Sequence, residues 1–226
     1  MQNFDIVKEN NLKDISFRVS KIQADFDVKI EQTNAHFSGK IDIPDEWNIG
    51  VIVGGSGTGK TTIAKELFND YYIKSFEYNA NAVVDDMPKE CSVDEITKMF
   101  YAVGFGSVTS WLRPYNVLSN GEKMRVDLAR ALLEKDIICF DEFTSVIDRQ
   151  VAQTACIAIK KALTKTNKKF IAVTCHYDIL EWLEPDWIFD TNKMQNFFYK
   201  AHVQKKNLLS KNVDMMSGQN LASIII

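Results

Sequence analysis

Lys60 and Thr61 end the run Gly54, Gly55, Ser56, Gly57, Thr58, Gly59, Lys60, Thr61, and Thr62 follows. Glycine at four of these eight positions lets neighbouring backbone N–H groups turn toward one point, where they can bind phosphate oxygens. The Lys60 ammonium supplies a point charge for the β- and γ-phosphates, and the Thr61 hydroxyl an oxygen ligand for Mg2+. A second group lies in IICFDE. Asp141 is suited to holding Mg2+ through water, and Glu142 to polarising an attacking water. A third is His176, just after the apolar run FIAV, whose imidazole can reach a γ-phosphate if it leaves the same sheet edge as Asp141. The chemistry implied is Mg2+-assisted hydrolysis of a nucleoside triphosphate.

That chemistry needs strands ending side by side. IGVIVGG (49–55) is apolar without alternation, the pattern of a central strand buried on both faces. TTIAKELFNDYY (61–72) has helical spacing, so the glycine run joins a strand to a helix, the context a phosphate loop requires. SVDEITKMFYAVG (92–104) opens on Ser92 with Glu95 three residues later, a capping box. Helices are expected over 121–134, 149–166 and 177–183, and buried strands over 136–142, 168–176 and 186–190. KSFEYN and AVVDD read as short strands. ISFRVSKI, FDVKIEQT and HFSGKIDI alternate and predict an antiparallel layer over 12–43. Strand–helix alternation from residue 49 predicts an α/β fold: a P-loop NTPase with a mainly parallel central sheet flanked by helices.

LSNGEK (118–123), a polar turn set directly before a helix, has no evident place in this scheme. In company with the other motifs it resembles the signature of the ATP-binding cassette (ABC) ATPases, usually written LSGGQ. The resemblance covers roughly residues 12 to 190 and rests on five motifs in order. It implies that Ser119, Asn120, Gly121 and Glu122, at a helix N-terminus, meet the γ-phosphate of ATP held by another subunit's phosphate loop. It also implies a head-to-tail, ATP-dependent homodimer, with Asp148 of SVID speaking across the interface and His176 acting as the switch histidine. Glu142, His176 and Lys60 would be catalytic, and ATP and Mg2+ the cofactors.

The chain departs from the family in several places. No glutamine stands between the phosphate loop and the signature; AVVDDMP offers Asp85 or Asp86 instead. Lys60 to Gly121 spans only 61 positions, which implies a reduced helical subdomain at about 79–120. Asn120 replaces a glycine, and Lys123 follows Glu122. Phe17, Phe26 and Phe37 are candidates for the aromatic that stacks on adenine. An ATPase domain over 1–205 and a tail over 206–226 are expected.

Composition narrows the partners. The net charge of −3 argues against wholesale non-specific nucleic-acid binding. Four scattered cysteines, Cys91, Cys139, Cys156 and Cys175, form no metal-ligand spacing and fit reduced thiols. No apolar run approaches the roughly 20 residues that span a bilayer. The sequence therefore favours a cytoplasmic, soluble ABC-type ATPase. Its ATP-driven dimerisation would work on a protein or nucleic-acid partner, as in DNA metabolism, defence or a phage or mobile element. The alternative is the nucleotide-binding subunit of an ABC transporter, with a membrane partner.

Overall fold

The computed structural model describes residues 2–8, 15–27, 35–73, 75–164 and 166–198. Its centre is β3 (Ile49–Val53), buried at every position. Side chains alternate along a strand: Val51 and Val53 enter one hydrophobic core and Ile52 the other. A strand with both faces covered has no polar side, which is why its sequence does not alternate.

β4 (Tyr72–Ile73), β5 (Ile137–Phe140), β6 (Lys169–Thr174), β7 (Trp187–Asp190) and β8 (Gln195–Phe197) complete a six-stranded sheet. The order is β4-β5-β6-β3-β7-β8, parallel except for the β7–β8 pair. Phe140 lies opposite Ala172, and Val53 opposite Thr174, so β5, β6 and β3 end nearly level. Whatever follows those three strands emerges along one edge, where such sheets bind ligands.

Helices cover both faces. α2 (Lys60–Phe68) lays Ile63, Ala64 and Phe68 on one, beside Trp187 and Phe189. α3 (Val93–Ala102), α5 (Asn120–Glu134), α6 (Arg149–Leu163) and α7 (Ile179–Leu183) bury Phe100, Leu128, Ile159 and Leu183 on the other. Each such side chain contributes about 1.5–3 kcal/mol on burial. Between α3 and α5 lie α4 (Val108–Trp111) and a 3₁₀ turn at Tyr115–Val117.

Among the described residues the antiparallel layer has two strands, fewer than the alternation predicted. β1 (Gln2–Lys8) pairs with β2 (Ala35–Ile41), and Phe4 and Ile41 seal the α2 side of the core. ISFRVSKI is no strand: Phe17–Phe26 is a helix, α1, with Ser16 accepting from the Val19 N–H at 3.4 Å. Val19, Ile22 and Phe26 also satisfy helical spacing, and a short apolar pattern cannot separate the two periods. FDVKIEQT lies mostly outside the described residues. KSFEYN and AVVDD are not strands either; 75–79 has no regular structure and Val83–Asp86 is a 3₁₀ turn. The capping box at the start of α3 is present, with both Ser92–Glu95 hydrogen bonds made. The tail at 206–226 lies outside the described residues.

Candidate functional site

The phosphate loop runs from β3 into α2. Gly59 caps α2 with φ 90° and no side-chain cap, which leaves the helix start to an incoming anion. A Cβ at Gly59 would stand 2.6 Å from the Phe37 ring, and one at Gly54 would stand 2.1 Å from Thr191 Oγ1. Side chains are therefore excluded at two points by packing as well as by conformation. The loop is braced from β7: Thr58 Oγ1 meets Thr191 Oγ1 at 2.5 Å, and Asn192 Oδ1 accepts from the Gly55 N–H at 3.2 Å. Lys60 Nζ donates to the Gly55 carbonyl at 2.7 Å, so the ammonium lies across the loop.

Asp141 and Glu142 follow β5. The Asp141 carboxylate accepts the Tyr72 hydroxyl and, at 2.9 Å, the Glu142 N–H, and these two donors orient it. Burial, with Asp141 next to it, pushes the Tyr72 phenol well above its ordinary range. Thr61 and Asp141 offer oxygen donors, the type Mg2+ prefers, and one or two suffice when phosphates and water complete the shell. The donor set fits the ion. Glu142 is exposed, with φ 51°, and Thr144 has φ 67°, so the turn after β5 is tightly wound.

His176 follows β6. Its Nδ1 is met by Thr144 Oγ1 at 3.2 Å and Arg149 Nη1 at 3.1 Å. Burial, then the Arg149 charge, lowers the imidazole pKa from its usual value. The sheet thus brings the phosphate loop, Asp141, Glu142 and His176 to one edge.

The signature turn stands apart from that edge. Ser119 and Asn120 are exposed, and Gly121 is lined by Val151, Arg125 and Ile147 of the same chain, not by the phosphate loop. SNGE is itself a capping box: Glu122 N–H donates to Ser119 Oγ at 3.3 Å, and Ser119 N–H to Glu122 Oε2 at 2.9 Å. The Ser119 hydroxyl also lies 2.9 Å from Glu122 Oε2, while buried Ser110 donates to Oε1 at 2.7 Å. Those bonds, Ser110 first, lower the Glu122 pKa. Glu122 is folded back as a cap, away from any incoming phosphate. The pattern was readable by the rule that identified Ser92–Glu95. Asp148 caps α6, accepting from the Val151 N–H at 3.0 Å, and is exposed.

Asp85 and Asp86 lie on the 3₁₀ turn Val83–Asp86. Asp86 accepts from the Asn79 and Ala80 N–H groups at 2.9 and 3.0 Å, and Asp85 lines a separate groove. The small cavity of about 180 Å³ beside Asp141 is lined instead by Ile73, Ser75, Phe76, Asp127 and Phe140. Asp127 accepts from the Tyr78 and Tyr115 hydroxyls, both at 2.8 Å, and the two rings stack 3.9 Å apart. Burial raises the Asp127 pKa. The sequence signal was an acid interrupting an otherwise apolar face of α5, between Met124 and Ala131. Of the aromatic candidates, Phe37 packs on the phosphate loop, while Phe17 is 82% and Phe26 73% exposed.

A phosphate loop on a central parallel strand, with an Asp-Glu pair two strands away at the same edge, defines a P-loop ATPase. A family model described as ATPase family associated with various cellular activities (AAA) matches residues 51–185. The chain belongs to that family, and its signature resembles that of the ATP-binding cassette ATPases. It is 30% identical over 183 positions to the energy-coupling factor transporter ATP-binding protein EcfA1 of Staphylococcus aureus, strains USA300 and COL among them. That alignment covers 63% of this chain, and the chain spans 66% of those relatives' length. Among solved structures it resembles cbiO1 from Clostridium perfringens, part of the ABC transporter complex cbiONQ. The TM-score is 0.55 and identity 16%, covering 86% of this chain and 90% of that one. Dimeric MJ0796, a bacterial ABC transporter cassette, matches with TM-score 0.55 and 16% identity over 72% of this chain and 89% of that one.

Proposed function

We propose that this chain is the nucleotide-binding subunit of an ABC-type transporter, hydrolysing Mg-ATP in a head-to-tail pair to drive a membrane partner. One observation carries the reading: an apolar groove of about 480 Å³ lies between residues 84–97 and 108–112, lined by Val84, Met87, Val93, Val108, Trp111 and Leu112. Val93 is 69% and Leu112 66% exposed, so the groove presents apolar surface that a short helix of a partner would cover. Residues 79–120, read as the reduced helical subdomain of a domain spanning 1–205, supply it. The similarity to transporter ATP-binding proteins supports the same choice.

Within the pair, residues 54–62 bind the phosphates, Thr61 and Asp141 hold Mg2+, and Glu142 takes the proton of the attacking water. Bound Mg2+ would offset charge on the phosphates; the chain supplies the base and the donors. His176 donates to the γ-phosphate. Ser119, Asn120 and Gly121, with Asp148 nearby, complete the other subunit's site, because they do not reach their own. Glu122 holds that turn in shape.

A second reading is an ATPase acting on a soluble protein or nucleic acid. It is favoured by the absence of a glutamine in 75–90 and its replacement by the Tyr78–Asp127–Tyr115 cluster. Purification of the chain from native membranes in mild detergent separates the two. Recovery of a stoichiometric integral-membrane protein, lost on Leu112→Glu, supports the transporter reading. Recovery in the soluble fraction with nucleic acid or a soluble protein overturns it.

A further inference from the structure

Two donors converge on one nitrogen of His176, and their difference decides which ring nitrogen carries the proton. The Thr144 hydroxyl, 3.2 Å from Nδ1, can donate or accept, and alone would leave the tautomer open. Arg149 Nη1, at 3.1 Å, can only donate. Nδ1 must therefore offer its lone pair, so the ring proton resides on Nε2. Protonating Nδ1 would set its N–H against the Arg149 N–H, which cannot accept.

Both donors are held in place. Arg149 Nε donates to Asp178 Oδ2 at 2.8 Å, Nη2 bonds Oδ1, and the guanidinium lies 5.1 Å from the Trp182 ring centroid. A planar fork fixed on two sides keeps its remaining N–H groups aimed. Thr144 is fully buried, and its φ of 67° is a region that β-branched residues enter only when their surroundings force it.

We propose that Arg149 is a positioning residue that, with Thr144, locks His176 as the neutral tautomer with Nε2–H as its only donor. The inference rests on the reading of His176 as the group that meets the γ-phosphate. It also couples two places. Arg149 directly follows Asp148, so the N-terminus of α6 that faces the partner subunit in the proposed pair also carries the donor that sets the histidine.

The charged groups around the ring give the sign of the pH effect. Arg149, from α6, disfavours the imidazolium, as does burial; Asp178, ahead of α7, and Glu142, after β5, favour it. Removing Arg149 leaves both carboxylates unopposed, so the imidazole protonates at higher pH than in the native chain.

The test uses the full chain labelled with ¹⁵N-histidine and long-range ¹H–¹⁵N spectra at pH 7.5. The expected native signature for His176 is a pyridine-like Nδ1 and a pyrrole-like Nε2. Arg149→Ala and the closer-sized Arg149→Gln, each first shown folded by circular dichroism, should both lose this single-tautomer pattern. The acid limb of their ATPase pH profiles should also move to higher pH. A native ring that is Nδ1-protonated or charged at pH 7.5 overturns the proposal, as does a spectrum unchanged in both variants. If His176→Ala turns over ATP at the native rate, the γ-phosphate reading falls. The tautomer spectra then still judge the Arg149 lock on its own.

Discussion

At the scale of single residues the site separates binding from chemistry. Glu142 is exposed beside the oriented Asp141 carboxylate, where an attacking water would approach. Glu142→Gln keeps the size and removes the proposed base, so nucleotide binding should persist while turnover falls about 10²- to 10⁴-fold. Single-turnover hydrolysis alongside equilibrium binding checks both halves, and a variant with native turnover would exclude Glu142 as the base. Phe37 makes a second prediction. Its ring covers Gly59, at the loop's entry into α2. If it also carries adenine, Phe37→Ala should weaken ATP binding by about 1–3 kcal/mol, typical of one base–aromatic stack. Phe17→Ala and Phe26→Ala, on a helix that buries none of its residues, should change nothing in the same titration.

At the scale of elements, what ties the segment after β4 to the signature is a partly buried polar contact. Asp127 on α5 holds Tyr78 from one segment and Tyr115 from just before the turn. Lys123 and Arg130 lie over these rings, at 5.7 Å from Tyr115 and 5.1 Å from Tyr78. Hydrogen bonds to a partly buried carboxylate contribute about 1.5–3 kcal/mol, and removing the shared partner leaves two phenols unsatisfied. Asp127→Ala should therefore cost more stability in urea than Tyr78→Phe or Tyr115→Phe alone. The two phenylalanine changes should not add, because each leaves Asp127 one donor. Equal effects of all three would show that the cluster is not a unit.

At the scale of the whole molecule, the proposed pair would leave each chain holding half of two sites. ATPase activity should rise more than linearly with concentration until the pair saturates. Gly121 is a poor probe of this, since a Cβ there would press Val151 at 3.3 Å inside its own chain. Asn120 is exposed in the first turn of α5, where a carboxylate suits the helix end yet repels a phosphate. Asn120→Asp should thus fold normally and bind nucleotide as a monomer while losing activity. Mixed with Lys60→Ala chains, it should regain part of that activity, because one heterodimer site then carries both lesions and the other none. No recovery at any mixing ratio, with heterodimers shown present by crosslinking, would rule out shared sites.

The sequence alone determined the phosphate loop, the Asp141–Glu142 pair, His176 and the order of the α/β core. Each of these is local: a glycine run between a strand and a helix, or an acid ending an apolar run, reads the same whatever surrounds it. The capping box at Ser119 was equally local, and SNGE carries it in four letters. What only the tertiary structure decided depends on which distant segments meet. ISFRVSKI fits two periods, and Phe17–Phe26 winds into α1. Asp86 became a loop staple and Asp127 the acid beside Asp141, because the chain path after β4 sets which carboxylate reaches that cavity. The donor that sets the tautomer of His176 comes from 27 residues upstream, brought to it by the packing of α6 against α7. Spacing along a chain records the period of an element, but a hydrogen bond between elements exists only once their side chains share one packed core.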